Sequence, residues 1–215
     1  MERSFKMAIE LPVFGISRLR MTTDGAGVTS LIGCLGCPLD CKWCLNPHAR
    51  CTRTRHRMVS PEKLVEMLEP DSIYFSATGG GATFGGGESM LHAAFIRAFR
   101  EACPADWRIT VETSLNVEPE NVRACLDCVD EWIVDIKDMN PEIYASYTGA
   151  GTEKRDVNLR MIAEKCPQKT HIRVPRIPNF NLDSDVSRSE RVLLKMGFER
   201  IERFEYIDPA ARHLT

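Results

Sequence analysis

The chain has 215 residues, 43% of them hydrophobic and 27% charged, and its 28 Lys and Arg against 30 Asp and Glu leave a formal charge of −2. This is the composition of one globular domain, residues 1–215, with enough chain to bury its own core, and it excludes disordered, collagenous and coiled-coil proteins. The balanced charge gives no sign of a nucleic-acid partner, no apolar run approaches the ~18 residues that span a membrane, and residues 1–15 lack the layout of an export signal, so the expected compartment is the cytoplasm.

In chain order, residues 28–32 form a short apolar strand that leads into four cysteines. Ser60-Pro61-Glu62 opens a helix running to about Leu68: Ser caps, Pro fits the first turn, and the acid meets the positive dipole end. A strand at 82–84 is entered from three glycines and followed by Gly85-Gly86-Gly87-Glu88. Helical apolar spacing covers 90–102, a strand 109–113, and a short helix 118–126. The strand at 132–136 lacks polar alternation, which predicts burial on both faces. Helices follow at 141–147 and 153–165, a strand at 171–174, a helix at 185–196 and a last strand at 203–207. Six strands separated by helices predict an α/β fold with a parallel sheet and right-handed crossovers. Six units suit a partial (βα)6 barrel, open at the side, with its chemistry at the carboxyl ends of the strands.

There are nine cysteines, and four lie close together as Cys34-x2-Cys37-x3-Cys41-x2-Cys44. An odd count in a reducing compartment points to metal rather than to a disulfide framework. Four thiolates on zinc would make a closed site, but zinc pairs are usually separated by a longer loop. Cys37, Cys41 and Cys44 alone on a 4Fe–4S cluster would leave one iron open to a small molecule.

Cys37-x3-Cys41-x2-Cys44 resembles the signature of the radical S-adenosylmethionine (SAM) superfamily. The longer string DGAGVTSLIGCLGCPLDCKWCLNP, residues 24–47, is similar to the opening strand and cluster loop of glycyl-radical-enzyme activating enzymes of the pyruvate formate-lyase activating type. Leu45 stands where that family usually has His, while Asn46 and Pro47 follow its pattern. The resemblance implies that the backbone of Gly86 and Gly87, with Glu88, holds the SAM amino group. It implies that Lys137 pairs with the SAM carboxylate, that Asp135 positions the methionine or ribose end, and that Arg173 lies near SAM. Glu112 and Thr113, at a strand end, either join the cofactor site with a monovalent cation or simply hydrogen-bond there. Asn179 replaces a usual Gly in the turn after the fifth strand, which a positive φ would allow.

The implied activity is reductive cleavage of SAM and removal of hydrogen from a backbone glycine of a partner glycyl radical enzyme, with no catalytic side chain beyond cluster and SAM. Flavodoxin or ferredoxin is the implied electron donor, and the expected state is a monomer without nucleic acid or membrane. Only fifteen residues separate Cys44 from Ser60, so the resemblance implies one cluster. The chain stops at Thr215, short of the family's usual length, which would leave the barrel more open. Two other readings remain open. One is a radical SAM enzyme for another substrate, such as an anaerobic ribonucleotide reductase activase or a small-molecule or peptide modifier. The other is a zinc-stabilised binding protein. Cys51, Cys103, Cys125, Cys128 and Cys166 read as small buried apolar residues rather than a second metal site, Cys34 as a strand residue and Trp43 as packing near the cluster. The basic run 50–57 reads as a solvated face or a partner contact.

Overall fold

The computed structural model describes residues 9–21 and 23–206. Its strands are β1 (Leu11–Met21), β2 (Val28–Cys34), β3 (Arg57–Val59), β4 (Gly81–Gly86), β5 (Arg108–Thr113), β6 (Glu131–Asp135), β7 (Thr170–Arg176) and β8 (Arg200–Glu205). Helices α1 (Pro61–Leu68), α2 (Ser72–Thr78), α3 (Ala93–Ala102), α4 (Pro119–Cys125), α5 (Pro141–Thr148), α6 (Glu153–Lys165) and α7 (Asp183–Lys195) fill the connections. All eight strands join one sheet in the order β3-β1-β2-β4-β5-β6-β7-β8. From β2 to β8 every pairing is parallel, so the expected six βα units are present and the barrel is open between β3 and β8.

Three elements go beyond the sequence reading. β1 pairs antiparallel with both β2 and β3, and α2 lies between α1 and β4. β1 buries only Leu11 and Val13 fully and carries Arg18 and Arg20 on its second half, so it lacks the apolar run of an interior strand. The last strand begins at Arg200 rather than 203, and the expected end at Ile207 lies outside the described residues. The helix expected from 90 starts as a 3-10 turn at Ser89–His92, because the Glu88 carboxylate accepts from Met90 N at 3.1 Å. Leu91 is therefore exposed, whereas Phe95, Ile96 and Phe99 carry the buried face of α3.

Other expectations hold locally. Ser60 Oγ caps α1 by accepting from Lys63 N at 3.2 Å. Trp132, Ile133 and Val134 of β6 are all buried, the pattern of a strand covered on both faces. Asn179 has φ +68° in the turn after β7. On the inner face, the segment 23–27 closes the amino-terminal end of the strands. Thr83 Oγ1 donates to Asp24 O at 2.6 Å, Ala26 N donates to Glu131 Oε2 at 3.0 Å, and a Cβ on Gly25 would lie 2.7 Å from Thr110 Oγ1. Among the described residues no helix is long and apolar enough to cross a membrane.

The loop after β6 is held from below by Arg155 of α6, which is fully buried. Its Nη1 donates to Asp138 O at 2.6 Å, its Nη2 pairs with Asp156 Oδ1 at 2.7 Å, and its guanidinium lies 4.5 Å from the Tyr144 ring centroid. Arg155→Ala leaves a cavity and an unpaired buried carbonyl, and is expected to cost about 3 kcal/mol in urea unfolding. A change below about 0.5 kcal/mol would show that this buried cation does not hold the loop.

Candidate active site

A cleft of about 760 Å³ opens on the inner face of the sheet. Its lining includes all eleven residues expected from the sequence: Cys37, Cys41, Cys44, Gly86, Gly87, Glu88, Glu112, Thr113, Asp135, Lys137 and Arg173.

The three cysteines sit on the loop that leaves β2. That loop is pinned by four backbone bonds to three elements: Leu35 N to Pro12 O of β1 (3.0 Å), Gly36 N to Ala49 O (2.7 Å), and Asp40 N to Thr148 O (2.7 Å) with Lys42 N to Tyr147 O (3.1 Å) at the end of α5. His92 Nε2 also lies 2.7 Å from Leu35 O. Burial pushes the Cys37 thiol up to about 11, with Glu88 and the neighbouring Cys41 and Cys44 adding to it. Burial also raises Cys41, opposed by the Lys137 ammonium. Two buried thiols that resist ionisation, with Cys44 on the same loop beside them, call for a cationic centre to bind them as thiolates. Among the described residues no three His, Cys, Asp or Glu groups converge as on a single metal ion. Fe–S clusters are held by cysteine thiolates, so three cysteines on one loop that all line the cleft are a donor set that fits a cluster. Cys34 is buried at the end of β2 with its thiol on Ile32 O at 3.5 Å, away from the other three, so a closed four-cysteine site is not formed.

The glycine-rich end of β4 also seats the cysteine loop. Gly87 N donates to Cys34 O at 3.1 Å and Glu88 N donates to Gly36 O at 2.7 Å. A Cβ on Gly87 would collide with the carbonyl oxygens of Gly36 and Cys34. At Gly86, with φ +85°, a Cβ would lie 2.7 Å from the Phe14 ring. These glycines seat the cysteine loop and Phe14 against β4, and only their remaining surface faces the cleft. The Glu88 carboxylate is buried and accepts from Thr113 Oγ1 (2.6 Å), Met90 N (3.1 Å), Ser114 N (2.9 Å) and Ser114 Oγ (2.6 Å). Four donors fill its acceptor capacity, so in this structure it clamps the ends of β4 and β5 together. Phe14 and Ser114 belong to no motif. The signal for Phe14 was the paired absence of side chains at Gly33 and Gly86, which its ring covers.

The charged residues form two pairs. Lys137, buried and with φ +60°, places Nζ 3.2 Å from Asp135 Oδ2. Burial alone would depress this ammonium, but Asp135, with Tyr206 and Cys41 adding, holds it above its ordinary range. Arg173 Nη1 pairs with Glu112 Oε1 at 3.0 Å, and its Nη2 donates to Thr23 O, tying β7 to the segment that closes the barrel floor. Burial raises the Glu112 carboxyl, opposed by Arg173. Glu112 and Thr113 are successive strand residues with opposite orientations, one toward Arg173 and the other toward Glu88. Each side chain thus has a hydrogen-bond partner of its own at the strand end. Leu45 is 57% exposed at the rim, Trp43 packs edge-on to Phe180, and Cys125 turns its thiol toward Ala93 O as a packing residue, whereas Cys51 is exposed rather than buried, because it ends the surface turn Pro47–Arg50.

The sequence model of the Radical SAM superfamily matches residues 31–186. The (2S)-3-sulfopropanediol dehydratase activating enzyme of Klebsiella oxytoca is 29% identical over 80% of this chain and 73% of its own. The pyruvate formate-lyase 1-activating enzyme of Escherichia coli K12 is 29% identical over 86% and 76%. The isethionate sulfite-lyase activating enzyme of Desulfovibrio desulfuricans is 26% identical over 79% and 74%. Among solved structures, SuiB of Streptococcus suis bound to S-adenosylmethionine superposes with a TM-score of 0.63 at 12% identity, over 81% of this chain and 39% of that one. Methylornithine synthase (PylB) gives 0.56 at 11% identity, over 80% and 50%. At these identities the structural likeness concerns the fold.

Two outcomes are expected from this geometry. Gly87→Ala pushes a methyl into the cysteine-loop backbone and should lower both stability, by about 2 kcal/mol, and the iron retained after reconstitution; full stability and iron content would refute the tight seating. His92 is held below its ordinary 6.5 by burial. Below about pH 6.5 the unfolded chain takes up a proton that the folded site resists, so stability falls as pH drops. Urea midpoints at about pH 7.5 and about pH 5.5 should show a smaller drop in His92→Gln than in the unaltered protein.

Proposed function

This chain belongs to the radical SAM superfamily, and on that premise we propose that it is the activating enzyme of a glycyl radical enzyme. The observation that carries the reading is the single cleft in which Cys37, Cys41 and Cys44 face the Lys137–Asp135 pair. Three thiolates with an open iron on one side, and the buried Lys137 ammonium paired with a partly exposed Asp135 on the other, suit a ligand with an amino-acid end. The curated relatives are named as activating enzymes, and each names a different enzyme as the one activated. That supports a common reaction with a partner chosen elsewhere on the surface.

The groups named here fit the residues present. When bound on Cys37, Cys41 and Cys44, a 4Fe–4S cluster with SAM at its open iron supplies one-electron cleavage of the sulfonium and thus a hydrogen-abstracting carbon radical. The chain's own part is binding, orientation and exclusion of water. Lys137 offers its charged Nζ to the SAM carboxylate, and Asp135, released from sole pairing with Lys137, accepts from the amino or ribose end. The strand-end backbone at Gly86 and Gly87 approaches the amino group, held in place by Glu88. The Arg173–Glu112 pair and its bond to Thr23 O close the floor, so that water does not enter from below. The partner's glycine-bearing segment enters from the rim near Leu45, and a one-electron carrier such as flavodoxin or ferredoxin serves as reductant.

Anaerobically reconstituted protein with reductant and SAM should release methionine and 5′-deoxyadenosine. Cys41→Ala should lower that yield by at least about a hundredfold. Lys137→Met should weaken SAM binding by about tenfold or more, the loss of a charge-assisted contact, while iron content stays unchanged. With a glycyl radical enzyme present, a carbon-centred radical should be detected on that enzyme. Release of 5′-deoxyadenosine by the Cys41→Ala protein at the unaltered rate would overturn the reading.

A further inference from the structure

We propose that residues 53–57, the arginine-bearing segment beside the cysteine loop, are the docking surface for an acidic one-electron carrier protein. The inference rests on the functional reading above and adds to it the place where the electron enters.

Between Cys41 and Ser60 the chain carries Lys42, Arg50, Arg53, Arg55 and Arg57 and no Asp or Glu, although acids outnumber bases over the whole chain. Lys42 and Arg50 both turn to Asp40. Arg53, Arg55 and Arg57 are exposed, and among the described residues they have no carboxylate partner. Elsewhere Arg97 pairs with Asp127 and Arg188 with Asp185, while exposed Arg160 and Arg191 stand singly; what sets Arg53, Arg55 and Arg57 apart is that they lie at alternate positions of one segment with no acid between them. A solvated face built only for solubility has no need to leave three adjacent cations uncompensated.

The segment is also firmly joined to the cysteine loop. Thr54 Oγ1 donates to His48 O at 2.6 Å, Thr54 N donates to Cys51 O at 3.0 Å, and Cys51 N donates to His48 O at 3.0 Å. The turn that includes His48 and Ala49 accepts from Gly36 N, one residue before Cys37. Arg57 then enters β3, which pairs with β1 at the sheet edge. A carrier on this face reaches the cysteine loop from outside and leaves the cleft free for SAM and the substrate segment. Electron-transfer encounters are small and short-lived, and unpaired cations raise their rate by steering an acidic partner. One electron leaves the carrier, which is oxidised by one, and enters the cysteine-bound group, which is reduced by one; no bond changes and no proton moves. An acidic face of the activated enzyme is the competing occupant, but that enzyme must present a glycine at the cleft itself.

The test uses the cluster-loaded protein and reduced flavodoxin as the acidic carrier, with photoreduced deazaflavin as a small reductant that needs no docking surface. The R53E/R55E/R57E protein should accept electrons from flavodoxin at least about tenfold more slowly, with the salt dependence flattened or reversed. Its affinity for flavodoxin, read directly by calorimetry, should fall in parallel, and R53Q/R55Q/R57Q should be intermediate. Reduction by deazaflavin should be unchanged in both, which also reports that the variants are folded and loaded. Unchanged flavodoxin rates and affinity would overturn the proposal. So would loss of radical formation on the partner enzyme with deazaflavin as reductant, since that assigns the surface to the substrate. An unaltered protein that neither reductant reduces would instead bring down the functional reading, and the docking proposal with it.

Discussion

Two backbone hydrogen bonds, from Gly87 N to Cys34 O and from Glu88 N to Gly36 O, join the cysteine loop to the end of β4. The rest of the site depends on this seam. It requires glycine at position 87, because any side chain would occupy the space of the carbonyls it bonds. It is held rigid on its far side by the Glu88 carboxylate, which gathers Thr113 and Ser114 from the end of β5. The cysteine loop has no regular secondary structure of its own, so its precision is borrowed from the sheet through this contact.

The charges in the cleft follow a similar logic. Desolvated ions are costly unless paired, and both cations of the cleft, buried Lys137 and partly buried Arg173, have carboxylate partners. The two pairs differ in what they can do. Arg173 is committed to Glu112 and to the Thr23 carbonyl, a fixed brace across the barrel floor. Lys137 has Asp135 as its carboxylate and a Tyr206 ring 5.8 Å away, and both lie on the cleft lining. A ligand bearing one carboxylate and one ammonium can enter between Lys137 and Asp135 and give each a new partner without leaving a charge unmatched.

Much of this was legible in the sequence, for identifiable reasons. The βα alternation showed because the inner strands β4, β5 and β6 are short and mostly apolar and are separated by helices with readable starts, whereas β8 (RIERFE) is mostly charged, so its start lies three residues ahead of the expected one. β1 was not, because its second half carries Arg18 and Arg20, and β3 is three residues long. The positions of the site residues were readable from motifs, since all eleven line one cleft. Their tasks were less so. A glycine-rich strand end looks the same in a sequence whether it faces a ligand or another loop, and here Gly86 and Gly87 face Phe14 and the cysteine loop first. Glu88 gave no sign that Ser114, outside any motif, would take two of its hydrogen bonds. The alternation that parts the side chains of Glu112 and Thr113 follows from strand geometry alone.

The central claim is that Cys37, Cys41 and Cys44 hold a cluster with one iron left open to SAM. Iron and sulfide analysis of anaerobically purified protein, followed by electron paramagnetic resonance of its reduced form with and without SAM, tests it most directly. The account predicts about four irons and four sulfides per chain and a spectrum that changes when SAM is added. One zinc per chain, or a cluster whose spectrum ignores SAM, would contradict it.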